Sequence, residues 1–286
     1  ADYQVITDRD TARDVGGNVR EAVLDYLAAG LDPTTTTIFP HSAVPALNQL
    51  LLPFLSLVTE AELHRNPTVK AETAASGRAL SALMLTYPVH QAADILFCKG
   101  NLVPVGKDNL PHVEMTRTVA RRFNERFGAL FPEPEPLVTA APEVPGVDGR
   151  KMSKSYGNAI ALGMSEDETA AVIRRATTDG ERRITFDPER RPGVSALLTA
   201  ASLCTGTAPE IIAETIGDRG SSELKRVATE AVNERFAAHR RRRAALAEDH
   251  GVVDRGLAAG IERANHVADQ TLAEVLDRMG MRYLPH

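Results

Sequence analysis

Apolar positions in the first part of the chain follow two rhythms in turn. Residues 3–7 form a short run with β-branched members, which reads as a strand. A helical spacing follows, with Val19, Ala22, Val23, Tyr26 and Leu27 on one face and Gly30 as the stop. Residues 34–39 are again β-branched, bounded by Pro33 and Pro40, and predict a second strand. Residues 47–58 are apolar and mostly helical, with a kink expected at Pro53, and residues 80–97 predict one or two helices broken near Pro88. Residues 102–105 are a short apolar run ending at Gly106, the pattern of a strand buried on both faces. A long helical pattern then carries Val113, Thr116, Ala120, Phe123 and Phe127. Strands alternating with helices predict a parallel sheet covered by helices.

The rhythm changes in the second half. Residues 133–150 are rich in proline and glycine, apart from a strand candidate at residues 137–141. Beyond Gly163 every signal is helical. Ser165 with Glu168, and Thr207 with Glu210, have the spacing of capping boxes. Leu257, Ile261, Ala264, Ala268, Leu272, Val275 and Met279 form one long apolar stripe. The expected architecture is an α/β domain with a Rossmann-like parallel sheet over residues 1–160, followed by an all-α domain over residues 161–286.

Composition narrows the function classes. No window approaches the length of apolar sequence that spans a bilayer, and the N-terminus has neither the basic nor the apolar segment of a signal peptide. Cys98 and Cys204 are the only cysteines, too few for a disulfide framework or a paired-cysteine zinc site, so two thiols in a reducing cytoplasm are expected. The net charge of -5 argues weakly against nucleic-acid binding, but it is unevenly spread. Residues 151–286 hold 20 basic and 20 acidic side chains, so the excess of acid lies in the first half. A neutral second half can still present a local basic face to phosphates. The arginines at 240–243 invite that reading, although four consecutive side chains cannot share one helical face, and such a run is more often a solvated one.

The sharpest chemical signal is Lys151-Met152-Ser153-Lys154-Ser155. Pro145-Gly146 and Gly149 precede it, and Gly157-Asn158 follows. Flanking glycines suit a mobile loop, and lysines act on phosphate as point charges. Such a loop could close on a triphosphate and neutralise charge building on departing pyrophosphate.

That string is the KMSKS signature of class I aminoacyl-tRNA synthetases. Three further blocks, TYPVHQAADIL at residues 86–96, LVPVGKDNLPHVEMTRTVARRFN at 102–124 and RRPGVSALLTAASLCTG at 190–206, resemble bacterial tryptophanyl-tRNA synthetases in order and spacing. The resemblance implies ATP-dependent activation of L-tryptophan to tryptophanyl-adenylate and its transfer to tRNA(Trp). It also implies Mg²⁺ with the ATP and a homodimer. It assigns Asp94 as acceptor for the indole N–H, Tyr87 to the substrate's amino group, and Ile95, Val103 and Val105 to the indole slot. Gly106, Lys107 and Asp108 match the nucleotide segment, where Gly106 lets backbone approach adenosine and Asp108 faces ribose hydroxyls. Val144 matches an adenine contact. The catalytic charges are those of Lys151 and Lys154, with Met152, Ser153 and Ser155 in the same ATP-binding loop. A carboxylate is a sound partner for indole, because the ring N–H is a donor only and the carboxylate an acceptor only.

There are departures. Gln91 stands where methionine is usual, Asn109 where glutamine is usual, and Gln4 where many members have histidine. They make the pocket more polar and resemble an auxiliary group of tryptophanyl enzymes, some resistant to tryptophan-mimicking antibiotics. The iron–sulfur variant needs four cysteines and is excluded. The His-x-Gly-His-like motif that follows the first strand in this class has no counterpart, and residues 3–7 match the second strand. The expectation is a longer polypeptide, with an open slot beside that strand where upstream residues belong. Two other readings stay open: a non-catalytic tryptophan- or tRNA-binding regulator, and tyrosine specificity.

Overall fold

The computed structural model describes residues 1–6, 14–76, 79–138, 144–150, 152 and 157–283. Its contacts group the chain into two compact units. One comprises Ala1–Val23, Leu31–Pro142 and Gly251–His286, the other Leu24–Gly30 and Glu143–His250. This division differs from the expected split into residues 1–160 and 161–286, because the last helix returns to the first unit.

Helix α1 (Val15–Ala29) begins in the first unit, and Gly30, assigned to the second, ends it at φ +103, a conformation that suits glycine. Helices α2 (Pro45–Gln49), α3 (Leu51–Leu55), α4 (Glu60–Arg65) and α5 (Pro67–Ser76) precede α6 (Ala82–Leu96). The expected kink at Pro53 lies upstream, at Leu50 between α2 and α3. Pro53 occupies the first turn of α3, where a missing N–H breaks no intrahelical bond. Pro88 does not break α6 either, which runs through it. Strand β1 (Leu102–Pro104), α7 (Leu110–Phe127) and β2 (Glu135–Leu137) follow.

Strands β1 and β2 pair in parallel, with Val103 opposite Pro136, and make the two-stranded sheet of the described residues. The other strand expectations fail. Tyr3–Ile6 is a 3-10 turn, closed by Gln4 N–H to the Ala1 carbonyl. Residues 34–39 are turn and irregular backbone, pinned by Asp32, which accepts from the Thr34 N–H at 2.8 Å. A strand exists only beside a neighbour, and the described residues offer these segments none. For the same reason β1 is not buried on both faces: Leu102 and Pro104 are exposed and Val103 is half-buried. Strand β2 begins two residues before the segment anticipated, of which residues 139–141 lie outside the described residues.

The core of this unit joins Leu47 and Phe54 of α2 and α3, Val89 and Leu96 of α6, and Phe123 of α7. Phe131 packs edge-on to both Phe54 and Phe123, at ring centroid distances of 5.6 and 5.0 Å. Helix α12 (Val252–Arg278) closes this core with Ala264, Ala268 and Val275 of the anticipated stripe.

The second unit is helical: α8 (Glu166–Arg174), α9 (Pro192–Thr205), α10 (Pro209–Ile216) and α11 (Gly220–Glu248). Ile173, Leu197, Leu198 and Leu224 are fully buried among them. The Ser165–Glu168 capping box forms in both directions, Glu168 N–H to Ser165 Oγ at 3.2 Å and Ser165 N–H to Glu168 at 2.8 Å. The Thr207–Glu210 box does not form. Helix α10 starts at Pro209 with Ala208 as its cap, because proline is preset for the first helical position. Among the described residues no single helix is long and apolar enough to cross a membrane.

Gly260 of α12 lies against the backbone of Ile38, and a Cβ there would sit 1.9 Å from the Ile38 carbonyl oxygen. In an open helix, Gly→Ala stabilises by up to about 1 kcal/mol. Here Gly260→Ala should instead cost about 2 kcal/mol or more, because backbone must shift to admit the methyl. Thermal unfolding checks the sign, and a raised Tm would show that α12 does not meet this segment so closely.

Candidate functional site

Helix α6 places Tyr87, His90, Gln91 and Asp94 within two turns, at the three- and four-residue spacings that share a helical face. The helix is otherwise apolar, so each of these groups must be satisfied by neighbouring elements. Tyr87 and His90 are buried; Gln91 and Asp94 are half-buried.

One cluster surrounds Asp94. The His41 Nε2 lies 3.1 Å from Asp94 Oδ1, and the His41 and His90 rings meet edge to face at 5.1 Å. The His41 ring N–H does not point at the carboxylate. Oδ1 is buried and accepts no hydrogen bond from the described residues. His90 is oriented by Asn48 of α2. The Asn48 amide nitrogen donates to the carbonyls of His41 and Val44, at 2.8 and 3.0 Å. Its oxygen must then accept from His90 Nε2–H, at 2.7 Å. That leaves His90 Nδ1 as an acceptor, and the Gln4 amide lies 3.4 Å from it. Burial lowers the His90 pKa, consistent with this neutral tautomer.

A second cluster surrounds Tyr87. Its hydroxyl lies 3.3 Å from His112 Nε2 of α7, with the two rings edge to face at 5.1 Å. His112 Nδ1 lies 2.9 Å from Gln91 Oε1, and the Gln91 amide nitrogen 3.5 Å from Asn109 Oδ1. Asn109 in turn donates to Asp108 Oδ1 at 3.3 Å. Lys107–Asn109 is a 3-10 turn directly after β1, with Gly106 before it in extended conformation. Lys107 and Asp108 are exposed, and Thr68 holds the turn by donating to the Asp108 carbonyl at 2.9 Å.

The structure therefore brings Gln4, Tyr87, Gln91, Asp94, Asp108 and Asn109 into two adjoining polar clusters on one face of α6. Ile95 is buried, while Val103 and Val105 are half-buried. Val144 is exposed and Met152 half-buried. Lys151, Ser153, Lys154 and Ser155 lie outside the described residues. The residues flanking them pair: Val147 N–H donates to the Asn158 carbonyl at 2.9 Å, and Asn158 Nδ2 to Asp148 at 2.8 Å. The Asn158 bond and the Arg150 contacts hold the Asp148 carboxyl at a pKa of about 2. Gly149, at φ +82, fits against the Pro192 backbone where a Cβ would meet it at 2.5 Å.

Sequence reasoning missed His41, Asn48, His90 and His112. A lone histidine carries no spacing signal, although His90 precedes Asp94 by one helical turn. Three of the arginines at 240–243 find partners within the second unit. Arg240 donates to the Met164 carbonyl and to Thr169, each at 2.9 Å; Arg242 donates to the Ala28 carbonyl at 2.6 Å and Arg243 to Asp25 at 2.8 Å. These three arginines fasten the second unit internally.

Comparison with known proteins identifies the family. The family model for class I tRNA synthetases specific for tryptophan and tyrosine (W and Y) matches residues 1–237. A tryptophan–tRNA ligase of Clostridium longisporum is 37% identical over 99% of this chain and 86% of its own length. That of Treponema pallidum is 39% identical over 93% of this chain and 81% of its own. The chain belongs to the tryptophan–tRNA ligase family. It is thus an ATP-dependent aminoacyl-tRNA ligase with the class I synthetase fold, a small parallel sheet with helices and a largely helical C-terminal part. Among solved structures, tryptophanyl-tRNA synthetase of Mycoplasma pneumoniae superposes on this ligase with a TM-score of 0.84 at 27% identity, over 98% of this chain and 87% of that one. The Campylobacter jejuni enzyme, complexed with ADP and tryptophan, gives 0.80 at 27% identity, over 98% and 88%.

Burial pushes the His112 pKa from 6.5 down to about 4. Between those values the unfolded chain binds the proton and the native one does not. The stability His112 confers is therefore complete above about pH 6.5 and lost as pH falls towards 4, by up to about 3 kcal/mol. His90 shifts in the same direction. The ligase should lose Tm across this window, and His112→Phe should flatten the slope. A slope untouched by the substitution would mean that the native ring titrates normally.

Proposed function

We propose that this face of α6 is the tryptophan site of the ligase, with Asp94 accepting the indole N–H. The observation that carries the reading is Asp94 Oδ1, buried yet accepting no hydrogen bond from the described residues. A buried acceptor without a donor is costly, and indole supplies a donor and nothing else. Tyr87 takes the substrate ammonium, Ile95, Val103 and Val105 pack the ring, and Gln4, Gln91 and Asn109 shape the polar rim. A site organised around such a polar contact rejects phenylalanine, which lacks the donor, far more strongly than an apolar slot would.

On the same reading Gly106, Lys107 and Asp108 hold the nucleotide after β1, and Val144 contacts adenine. Lys151, Met152, Ser153, Lys154 and Ser155 form the loop that closes on the triphosphate of ATP. The tryptophan carboxylate attacks the α-phosphorus and pyrophosphate leaves, with the two lysines neutralising the charge that builds on it. The adenylate then acylates the terminal ribose of tRNA(Trp). The C. jejuni relative's complex with ADP and tryptophan supports both ligands. Mg²⁺ would bind through phosphate oxygens of the ATP. Among the described residues the candidate metal cluster is His41, His90 and Asp94, whose imidazole donors do not suit that hard cation. A homodimer working in the cytoplasm completes the reading.

Asp94→Ala should lower kcat/KM for tryptophan in pyrophosphate exchange by about 2 kcal/mol or more, roughly thirtyfold. Near-normal kinetics would remove Asp94 from the pocket, and an unchanged preference for tryptophan over tyrosine in the same assay would remove it from specificity.

Lys151→Ala and Lys154→Ala should each slow adenylate formation far more than they weaken tryptophan binding, since their charge matters most in the transition state. Single-turnover kinetics separate the two effects. A rise in the tryptophan KM alone would contradict the role.

A further inference from the structure

The hydrogen bonds from Asp108 to Tyr87 have a direction, and it is set by the one group that has no choice. Asp108, ionised, can only accept. Asn109 therefore turns its amide nitrogen towards Asp108 Oδ1, 3.3 Å away, and its oxygen towards Gln91. Gln91 must donate to that oxygen through Nε2, at 3.5 Å, which leaves Oε1 to accept from His112 Nδ1–H at 2.9 Å. His112 is buried, and burial keeps its ring neutral. With its single proton on Nδ1, its Nε2 can only accept, and the Tyr87 hydroxyl 3.3 Å away supplies the donor. The hydroxyl proton is thus committed inward, and the phenolic oxygen offers other partners lone pairs only.

We propose that this relay makes Tyr87 an obligate acceptor for the substrate's ammonium group, with His112 as the positioning residue that fixes the hydroxyl's polarity. The proposal rests on the tryptophan reading of the site. It also accounts for two departures together. Gln91 and Asn109, the two departures noted with the resemblance, form the middle of one chain of bonds. A thioether could not both donate to Asn109 and accept from His112. The relay further ties the nucleotide segment, through Asp108 and Asn109, to the amino-acid site.

Without the relay, the Tyr87 proton could point at the ammonium and oppose it. The effect is confined to the ammonium, so it can be separated from general damage by a ligand that lacks that group. Indole-3-propionate keeps the indole and carboxylate of tryptophan and has no amine. Binding of both ligands to the full protein is measured by isothermal titration calorimetry, with thermal melts to confirm folding. His112→Phe keeps the edge-to-face ring and removes the acceptor; Gln91→Met breaks the relay from its other end. Each should weaken tryptophan about tenfold, roughly one conventional hydrogen bond's worth of affinity, and leave indole-3-propionate within about twofold. In a Tyr87→Phe background neither substitution should change the discrimination further.

Equal loss for both ligands, no loss for either, or a loss that persists in the Tyr87→Phe background would overturn the relay. A distinct result would sink the underlying reading instead. If Tyr87→Phe alone binds tryptophan as the wild type does, Tyr87 is not at the ammonium, whatever His112 does.

Discussion

The first unit is organised by the need to satisfy polar side chains on a buried helix. Four of them lie on one face of α6, and leaving any one unpaired in the interior would cost about 1–3 kcal/mol. The neighbours answer in kind. Asn48 of α2 takes His90, His112 of α7 takes Tyr87 and Gln91, and the turn after β1 supplies Asn109. These same elements meet through Leu47, Val89, Leu96 and Phe123. Apolar packing therefore brings α2, α6 and α7 together, while the polar pairs select the rotation and register in which all the groups are matched. Asp94 Oδ1 stands out because this arrangement, complete elsewhere on the face, gives it a nearby imidazole but no hydrogen bond.

What could be read from the sequence follows from the range of each interaction. Helices α7 and α12 were legible because their stripes repeat over many turns, and the Ser165–Glu168 cap because its partners are three residues apart. The strands at residues 3–7 and 34–39 were not, since β-branched residues state only a preference that a neighbouring chain must realise. The failed cap at Thr207 has a local cause: Pro209 starts the helix one residue later than that cap requires. Within the site, Asp94 was legible as an acid inside an apolar run. Tyr87, Gln91 and Asn109 were named from resemblance. His41, Asn48 and His112 acquire meaning only through partners 53, 42 and 21 or more residues distant, and no local pattern encodes those pairs.

Charge shows the same limit in the second unit. In one dimension the arginines at 240–243 invite a phosphate-binding reading, although a solvated face is the commoner outcome. In three, Arg240, Arg242 and Arg243 donate to carbonyls, a hydroxyl and a carboxylate of the same unit. Arg191 behaves likewise. Its side chain is buried, pairs with Asp179 at 2.6 Å, and donates to the Arg183 carbonyl at 2.7 Å and to Thr185 at 2.9 Å, stitching the loop before α9. A guanidinium has five donors in a fixed fork, so it can satisfy several backbone oxygens that no helix or sheet uses. Clustered arginines near irregular backbone are thus as consistent with internal fastening as with recognition.

The proposed chemistry at α6 follows from matching groups that have a single hydrogen-bonding role. Indole N–H and ammonium are donors only. An ionised carboxylate is an acceptor only, and the relay from Asp108 to Tyr87 converts a hydroxyl, which could play either part, into an acceptor as well. Under this proposal both polar ends of the amino acid meet groups that cannot switch roles. Ambivalent groups would adapt to the wrong substrate at little cost, whereas fixed ones leave a buried acceptor unpaired whenever the expected donor is missing. Selectivity then comes from what the interior refuses to leave unsatisfied, the same constraint that positions α2, α6 and α7.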